Sequence, residues 1–596
     1  MLLVTAPGFV FAQFQQLPIP KPQPQSNPFA RLQQDPLILP FWDDFSAPYI
    51  DSTKWVSDGV THSFTVAYAA PSLGVAVLDG VNALGKPYST NLLEQGLGDQ
   101  ISSQPIDLSQ IPSNEQNTVF LSFYWQAGGK AELPDQNDIL SLDFLNASGN
   151  WVQVWEKRGD LPAEQFFFTW ENINVPVEFH HSGFRFRFQS SGRKSGPFDT
   201  WLLDYVFLNK NRNSTDRNVE DRTLTRLNPK IFQKFSAIPL FDLPSRLTGN
   251  LAPVQNEFLN LSNRFRAMEF TVELRDRQNG QVLKKINNNT PFNPVPLALE
   301  RRVFNSNSIP DFPIPSQETD YELRTYLSTG DRFFYRIVAG DTVYYPSVDF
   351  RNNDTTSAVI PLRDFYAYDD GQADYSAGIN QRSGMLALRY EVKRPVFLTG
   401  ISINFTNFNQ VGNVIDLMVW KDLNSQPLYK KEVLIPEKST LEQFGKFEID
   451  VNLPVDGVFY IGFTQFTNDF IYIGLDKSVD NGAEIFYNVA GSWQQNSQVA
   501  GSLMMRPHLS TEQPFESQVP NQEGFTVYPN PVIDFLNVEG TYENLSVYDS
   551  FGRKLELLQE DTERGKIINF TGLKKGIYLL KLEKQGIQQS IRVLVK

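Results

Sequence analysis

Phe184-Arg185-Phe186-Arg187-Phe188 alternates without a break, so that in an extended chain three phenylalanines share one side and two arginines the other. A period of two is the signature of a half-buried strand, and it recurs along the chain. Leu121-Ser122-Phe123-Tyr124-Trp125, the stretch from Ile139 to Phe144, and that from Trp151 to Trp155 read as short strands between Gly, Asn, Asp and Pro turns. Phe270, Val272 and Leu274 alternate with Thr271, Glu273 and Arg275. Asn279-Gly280 then supplies two residues that tolerate positive φ in a tight hairpin, ahead of Val282-Leu283. Tyr321, Leu323, Thr325 and Leu327 repeat the pattern against Glu322, Arg324 and Tyr326. Helical periodicity is almost absent, and aromatic residues make up 13% of the chain, which suits pleated, half-buried surfaces. The predicted class is all-β.

With 596 residues the chain exceeds what one core supports, since single domains stop growing at about 250 to 300 residues. Composition divides it into blocks. Residues 13–39 carry Pro18, Pro20, Pro22, Pro24 and Pro28 among glutamines and read as an extended linker. Residues 40–210 read as a jelly roll, 225–355 as an immunoglobulin-like sandwich and 364–510 as a second jelly-roll-like domain. Residues 511–524 (TEQPFESQVPNQEG) form a polar second linker, and 525–596 a compact terminal module. The chain is therefore predicted to be a multidomain series of jelly-roll and immunoglobulin-like β-sandwiches.

The balance of 53 basic against 67 acidic residues, a formal charge of −14, leaves no basic field for nucleic acid. Without cysteine there is no disulfide, thiolate nucleophile or Cys-ligated zinc. Leu2 to Ala12 (LLVTAPGFVFA) is a short apolar run ending in a small residue, read as a signal peptide over 1–12 whose basic start is missing; the alternative is an apolar terminus of no function. No later segment approaches the ~18 apolar residues of a transmembrane segment.

The terminal block is the most legible. Ile587, Gln589, Ile591, Val593 and Val595 fall on one face of a last strand, after a Gln585-Gly586 turn, and the strand before it, Ile577 to Leu582, is apolar on both faces. Tyr528-Pro529-Asn530-Pro531, Leu536-Asn537-Val538, Val547-Tyr548-Asp549-Ser550-Phe551-Gly552-Arg553, Gly576-Ile577-Tyr578-Leu579-Leu580-Lys581 and a basic terminal Lys596 follow in that order. This series resembles the type A C-terminal sorting domain of Bacteroidetes proteins exported by the type IX secretion system. Physically, Pro529 and Pro531 are expected to fix an extended entry to the first strand, Gly552 a turn, and Gly576 a tightly packed strand entry. The resemblance implies that the outer-membrane secretion machinery is a partner and that the protein is secreted through the periplasm to the cell surface or beyond.

The first block resembles MAM or concanavalin-like jelly rolls through Phe41-Trp42-Asp43-Asp44-Phe45, Ser72-Leu73-Gly74-Val75-Ala76 with Asp79-Gly80, Phe184 to Phe188, and Asp199-Thr200-Trp201-Leu202-Leu203-Asp204-Tyr205-Val206. Such sandwiches bind glycans or proteins. Candidate ligand residues are Trp201, Asp199 and Asp204, with Trp42, Trp125 and Trp155 as further stacking platforms. Structural calcium is the one cofactor considered. Asp43, Asp44, Asp79, Asp199 and Asp204, or the loop bearing Asp369, Asp370 and Asp374 beside Gly371, offer hard oxygens, and turn capping competes with both readings. Asp51-Ser52-Thr53, Asp341-Thr342-Val343 and Asp354-Thr355-Thr356 resemble O-glycosylation sites of Bacteroidetes exported proteins.

Catalytic motifs are missing. The histidines are His62, His180, His181 and His508, none in a zinc-binding helix, and the adjacent pair is expected on opposite faces of a strand. There is no nucleophile elbow or P-loop, Gly192-Arg193-Lys194-Ser195-Gly196 being the nearest approach. The expectation is a non-enzymatic surface protein that serves adhesion or binds glycans or proteins. The alternatives are an accessory component docked to the type IX translocon or gliding machinery, and a secreted polysaccharide hydrolase needing only two facing carboxylates.

Overall fold

The computed structural model describes residues 14–19, 35–247, 251–338, 340–406, 410–514, 525–550, 552–584 and 587–596. The expected signal peptide at 1–12, the Gln585-Gly586 turn and most of the second linker lie outside them. The chain divides into two compact units, residues 1–512 and 513–596. Leu243–Leu247 is the sole α-helix among the described residues, and the rest of the regular structure is strand with short 3-10 turns. The fold is all-β.

In the first sandwich, one sheet runs Thr169–Asn174, Phe120–Ala127, Trp201–Asn209, Val75–Leu78, Thr61–Ser63, with Phe41–Asp43 added to Trp201–Asn209. The facing sheet runs Trp55–Asp58, Gln95–Ser103, Phe186–Arg193, Ile139–Leu145, Trp151–Arg158. All these pairs are antiparallel. Phe184, Phe186 and Phe188 point inward and are fully buried, while Arg187 pairs outward with Asp143 at 2.8 Å and lies over the Trp151 ring. The alternation of Phe184 to Phe188 is thus an in–out pattern that runs into the strand beginning at Phe186.

A second sandwich sets Arg222–Leu224, Gln255–Asn260 and Arg301–Asn305 against Ile238–Pro239, Thr355–Arg363, Thr319–Ser328, Glu269–Asp276 and Val282–Pro291. Its hairpin turns at Asn279-Gly280, where Gly280 has φ of 72°. Tyr321, Leu323, Thr325 and Leu327 are buried, as are Phe270, Val272 and Leu274. A third sandwich sets Tyr375–Ile379, Ile471–Asp476 and Ser502–Leu503 against a seven-stranded sheet. That sheet is built on two long, bulged strands, Met385–Ile403 and Gly445–Gln465. One apolar cluster runs from Leu224 of the second sandwich to Leu509 of the third and takes in Val66, Val75, Val77 and Leu202 of the first. The three sandwiches therefore share buried surface within one unit.

Of the Pro/Gln-rich stretch 13–39, read as an extended linker, residues 14–19 and 35–39 are described. Gln15–Pro18 is a strand that adds antiparallel to Tyr375–Ile379, with Phe14 and Ile19 buried at its ends. These apolar anchors hold the short strand in place, and Pro18 sits at the end of an edge strand, where proline is tolerated.

In the second unit, the described residues from 525 onward form a small sandwich of two four-stranded sheets. One is Phe525–Tyr528, Phe535–Gly540, Gly565–Asn569, Gln559–Thr562; the other is Lys554–Leu555, Asn544–Tyr548, Gly576–Lys584, Ile587–Val595. Val532, Leu536, Val538, Val547, Ile568, Phe570, Leu580, Leu582, Val593 and Val595 make its core. The strand Gly576–Lys584 is central but buries one face only, through Tyr578, Leu580 and Leu582. Its outer face leaves Ile577 exposed opposite Leu594, so hydrophobicity on both sides does not mean burial on both sides.

Candidate functional site

Part of the terminal module's motif, Asn530 and the chain that follows it, reaches the module's last strand. Tyr528 ends the first strand, and Pro529 and Pro531 follow it, so the prolines terminate that strand and do not lead into it. They carry the chain to the edge of Ile587–Val595. There the Asn530 side chain donates to the Arg592 carbonyl at 2.7 Å and accepts from the Leu594 N–H at 2.9 Å. The Val532 N–H donates to the Leu594 carbonyl at 2.8 Å, and the Lys596 N–H to the Val532 carbonyl at 3.0 Å. One asparagine and one backbone amide thus close the far end of an edge strand, satisfying groups that would otherwise invite pairing. The Tyr528 hydroxyl donates to Glu539 at 2.7 Å, and the Tyr578 hydroxyl to the Lys574 carbonyl at 2.8 Å. Gly552 has φ of 78° in the turn closed by Asp549 and Arg553, a conformation that favours glycine. Gly576 is not a close-packing position, since the nearest atom to an added Cβ is 4.0 Å away.

Elsewhere the structure rearranges the candidates. Trp125 and Trp201 are wholly buried and Trp42 nearly so, against Tyr205 and Phe350, so these rings are core and no sugar platform. Trp155 is half-buried, edge-on to Phe123. Asp204 is also wholly buried, accepting from the Ser72 N–H at 2.9 Å and the Ser72 hydroxyl at 3.0 Å, and burial pushes its carboxyl well above the usual range. Asp43 caps a turn and accepts the Trp55 indole at 2.7 Å. His180 and His181 sit in a loop after a 3-10 turn, not on a strand, and each ring meets a different backbone carbonyl at 3.0 Å.

The loop with Asp369, Asp370 and Asp374 does not gather a cation site. Asp369 pairs with Arg506, Asp370 caps the Gln372 amide, and Asp374 accepts from the Lys477 N–H at 2.7 Å. Among the described residues the carboxylates that do converge are Asp135, Asp138 and Asp199, with ligand atoms within 4.8 Å of one another. They are hard oxygen donors of the kind calcium takes. Burial, then Asp138 as a like charge and hydrogen-bond partner, pushes Asp199 up to about 8. A carboxyl raised on folding gives stability that is lost as pH rises from its unfolded value through about 8. Asp199→Asn should therefore raise the melting temperature increasingly from acid to mildly alkaline pH. The gain should level off at about 1 kcal/mol, because the group is partly exposed and screened. Asparagine also tolerates the left-handed φ of 66° at this position. A variant that melts no higher than the parent at pH about 8 would remove this account.

One further arrangement carries no motif in the sequence. The Ser402 hydroxyl lies 2.7 Å from His508 Nε2, and His508 Nδ1 lies 2.8 Å from Asp364. The spacing is that of a nucleophilic triad, but the exposure is reversed. Ser402 is buried while the Asp364 side chain is 38% exposed, whereas an acyl-transfer triad needs an accessible serine and a shielded carboxylate. No sequence spacing signals it, because the three residues come from distant segments.

A cleft of about 930 Å³ opens between the first and third sandwiches. From the first come Tyr49, Ser52, Thr53, Ser57, Thr61, His62 and Gln104, and from the third Asp370, Gln372, Asp374, Ser439 and Thr440. Tyr49 is 61% exposed. Of the expected glycosylation sites, Ser52, Thr53 and Thr342 are exposed, whereas Thr356 is buried.

Residues 526–596 match the family model of the secretion system C-terminal sorting domain. The protein is thus a substrate of type IX secretion, exported to the cell surface or the extracellular space, and the secretion machinery is its partner. No helix among the described residues is long and apolar enough to cross a membrane. No curated protein matches the chain. Among solved structures, a β-glucuronidase from Bacteroides uniformis is 13% identical over 49% of this chain and 30% of its own, at a TM-score of 0.20. The N-terminal CBM22-1-CBM22-2 tandem domain of a Paenibacillus barcinonensis protein is 9% identical over 76% of this chain and 97% of that one, at a TM-score of 0.19. The Endo-D glycoside hydrolase domain of Streptococcus pneumoniae R6 is 8% identical over 55% of this chain and 44% of that one, also at 0.19. The chain spans less than half the length of either enzyme, and scores of this size do not define a common overall fold.

Proposed function

We propose that the exported protein binds glycans at the surface, in the cleft between its first and third sandwiches. The first and third sandwiches are read as jelly rolls and the second as immunoglobulin-like. The observation that carries the function is the lining: hydroxyl and amide side chains from two sandwiches face one another across a space large enough for a short oligosaccharide, with the exposed Tyr49 ring at its wall. Hydroxyls and amides exchange hydrogen bonds with a polyol, and an aromatic face covers the apolar side of a pyranose. The buried tryptophans cannot do this, which moves the stacking role from Trp201 to Tyr49. Tyr49→Ala should weaken glycan binding about tenfold with an unchanged melting temperature. Equal affinity of variant and parent on a glycan array followed by calorimetry would remove the cleft from the account.

A second reading rests on Asp370 and Asp374, two carboxylates that line the same cleft. They supply the pair a polysaccharide hydrolase needs, one as acid and one as base or nucleophile. Reducing-sugar release by the parent and its loss in Asp370→Asn would favour hydrolysis over binding alone.

A further inference from the structure

We propose that Lys230 and Asp476 are joined by an intramolecular amide bond that staples the lead-in to the second sandwich onto the third. Lys230 Nζ lies 3.2 Å from Asp476 Oδ2, with side-chain exposures of 7% and 0%. Lys230 belongs to the segment after Arg222–Leu224, whereas Asp476 ends the strand Ile471–Asp476. The two partners are 246 residues apart.

The surroundings hold both ends in place. The Asp370 N–H donates to Asp476 Oδ2 at 2.8 Å, and the Ser478 N–H donates to Oδ1 at 2.6 Å. Two backbone donors therefore sit on the two oxygens of the carboxyl carbon, one on each, where negative charge grows as a nucleophile adds. The lysine amine also donates to the Tyr368 carbonyl, which fixes it beside that carbon. Tyr368 is fully buried and stacks on Phe235 and Tyr390, so the amine approaches past an apolar wall.

The step balances without a further reagent. The lysine nitrogen forms a bond to Asp476 Cγ, one carboxylate oxygen leaves, and two of the three ammonium protons go with it as water. The third proton remains as the amide N–H. An ammonium and a carboxylate withdrawn from solvent are each costly, and their mutual attraction only partly offsets that cost. Replacing both by one neutral amide removes the penalty, and holding the two groups in contact supplies the effective concentration that free amine and acid lack. A chain without cysteine has no disulfide with which to lock distant segments, and this bond would do so.

The test is peptide mapping of the full-length chain. Trypsin should leave the Lys230-Ile231 bond uncut and release a branched peptide joining the Lys230 segment to the Asp476 segment, lighter by one water than the sum of its parts. The branched species should be lost in Lys230→Arg, which keeps the positive charge. Because the parent is measured first, the outcome does not depend on whether a variant folds. Full recovery of separate linear peptides, with cleavage after Lys230, would show an ordinary buried ion pair and overturn the proposal.

Discussion

A chain that stops at residue 524 is expected to remain inside the cell, with export falling to background. Residues 513–596 are a separate unit with their own core, so the cut leaves the sandwiches within residues 1–512 with the cores they are built on. The retained protein should therefore melt like the parent, which separates loss of the export signal from misfolding. A finer variant tests the geometry at the last strand. Asn530→Ala removes two hydrogen bonds to backbone groups of Ile587–Val595, at a cost of about 1–3 kcal/mol to the module. Its export should fall with that loss while the module remains folded. Secretion of the truncated chain at the parental level would refute the role of the module; normal secretion of Asn530→Ala would show that the closed strand end is not what the machinery reads.

The largest stability effect is expected where the first and second sandwiches meet. Asp221, wholly buried, accepts from the Tyr205 hydroxyl at 2.7 Å and from the Asn353 amide at 2.8 Å. The same amide donates to Asp44 at 2.9 Å. Asp331 is paired with Arg222 at 2.6 Å, and the Thr329 hydroxyl reaches Asp354 at 3.1 Å. One oxygen each of Asp221 and Asp354 has no hydrogen-bond partner among the described residues. Burial, then Asp221 and Asp331 as like charges, pushes Asp354 up to about 9, and burial followed by Asp331 raises Asp221 well above the usual range. Both carboxyls bind protons more tightly in the folded chain than in the unfolded one. The stability they give is complete in acid and is lost as pH rises from their unfolded values through their folded ones. The chain should accordingly melt lower at pH about 9 than at about 6. Asp354→Asn keeps an acceptor for Thr329 and should stabilise the chain by about 1–4 kcal/mol at mildly alkaline pH, with little effect in acid. Thermal melts of parent and variant across that range decide the matter, and a parent whose melting point does not move would contradict it.

Both results bear on what the sequence made legible. The class of the fold followed from alternation, because each strand buries one face and a period of two records that directly. Phe184 to Phe188 and Tyr321 to Leu327 show it residue by residue. The terminal module was readable because its motif residues fall in a fixed order over some 70 residues, each short group marking a strand or turn that can be read locally. The ligand residues were not. Trp201 and Asp204 carried the right chemistry for binding, yet nothing local distinguishes a tryptophan facing solvent from one facing the opposite sheet. Gln15–Pro18 was hidden for a related reason, since its partner, Tyr375–Ile379, lies some 360 residues away and an edge strand needs only a few apolar anchors.

The sequence by itself determined the all-β class, the strand faces and the export module, since these depend on side chains spaced a few residues apart on one extended chain. Only the tertiary structure decided which aromatic rings are core, which carboxylates meet and where the cleft opens. Those depend on pairing between segments hundreds of residues apart, and burial there is set by what packs on the far side of the sheet.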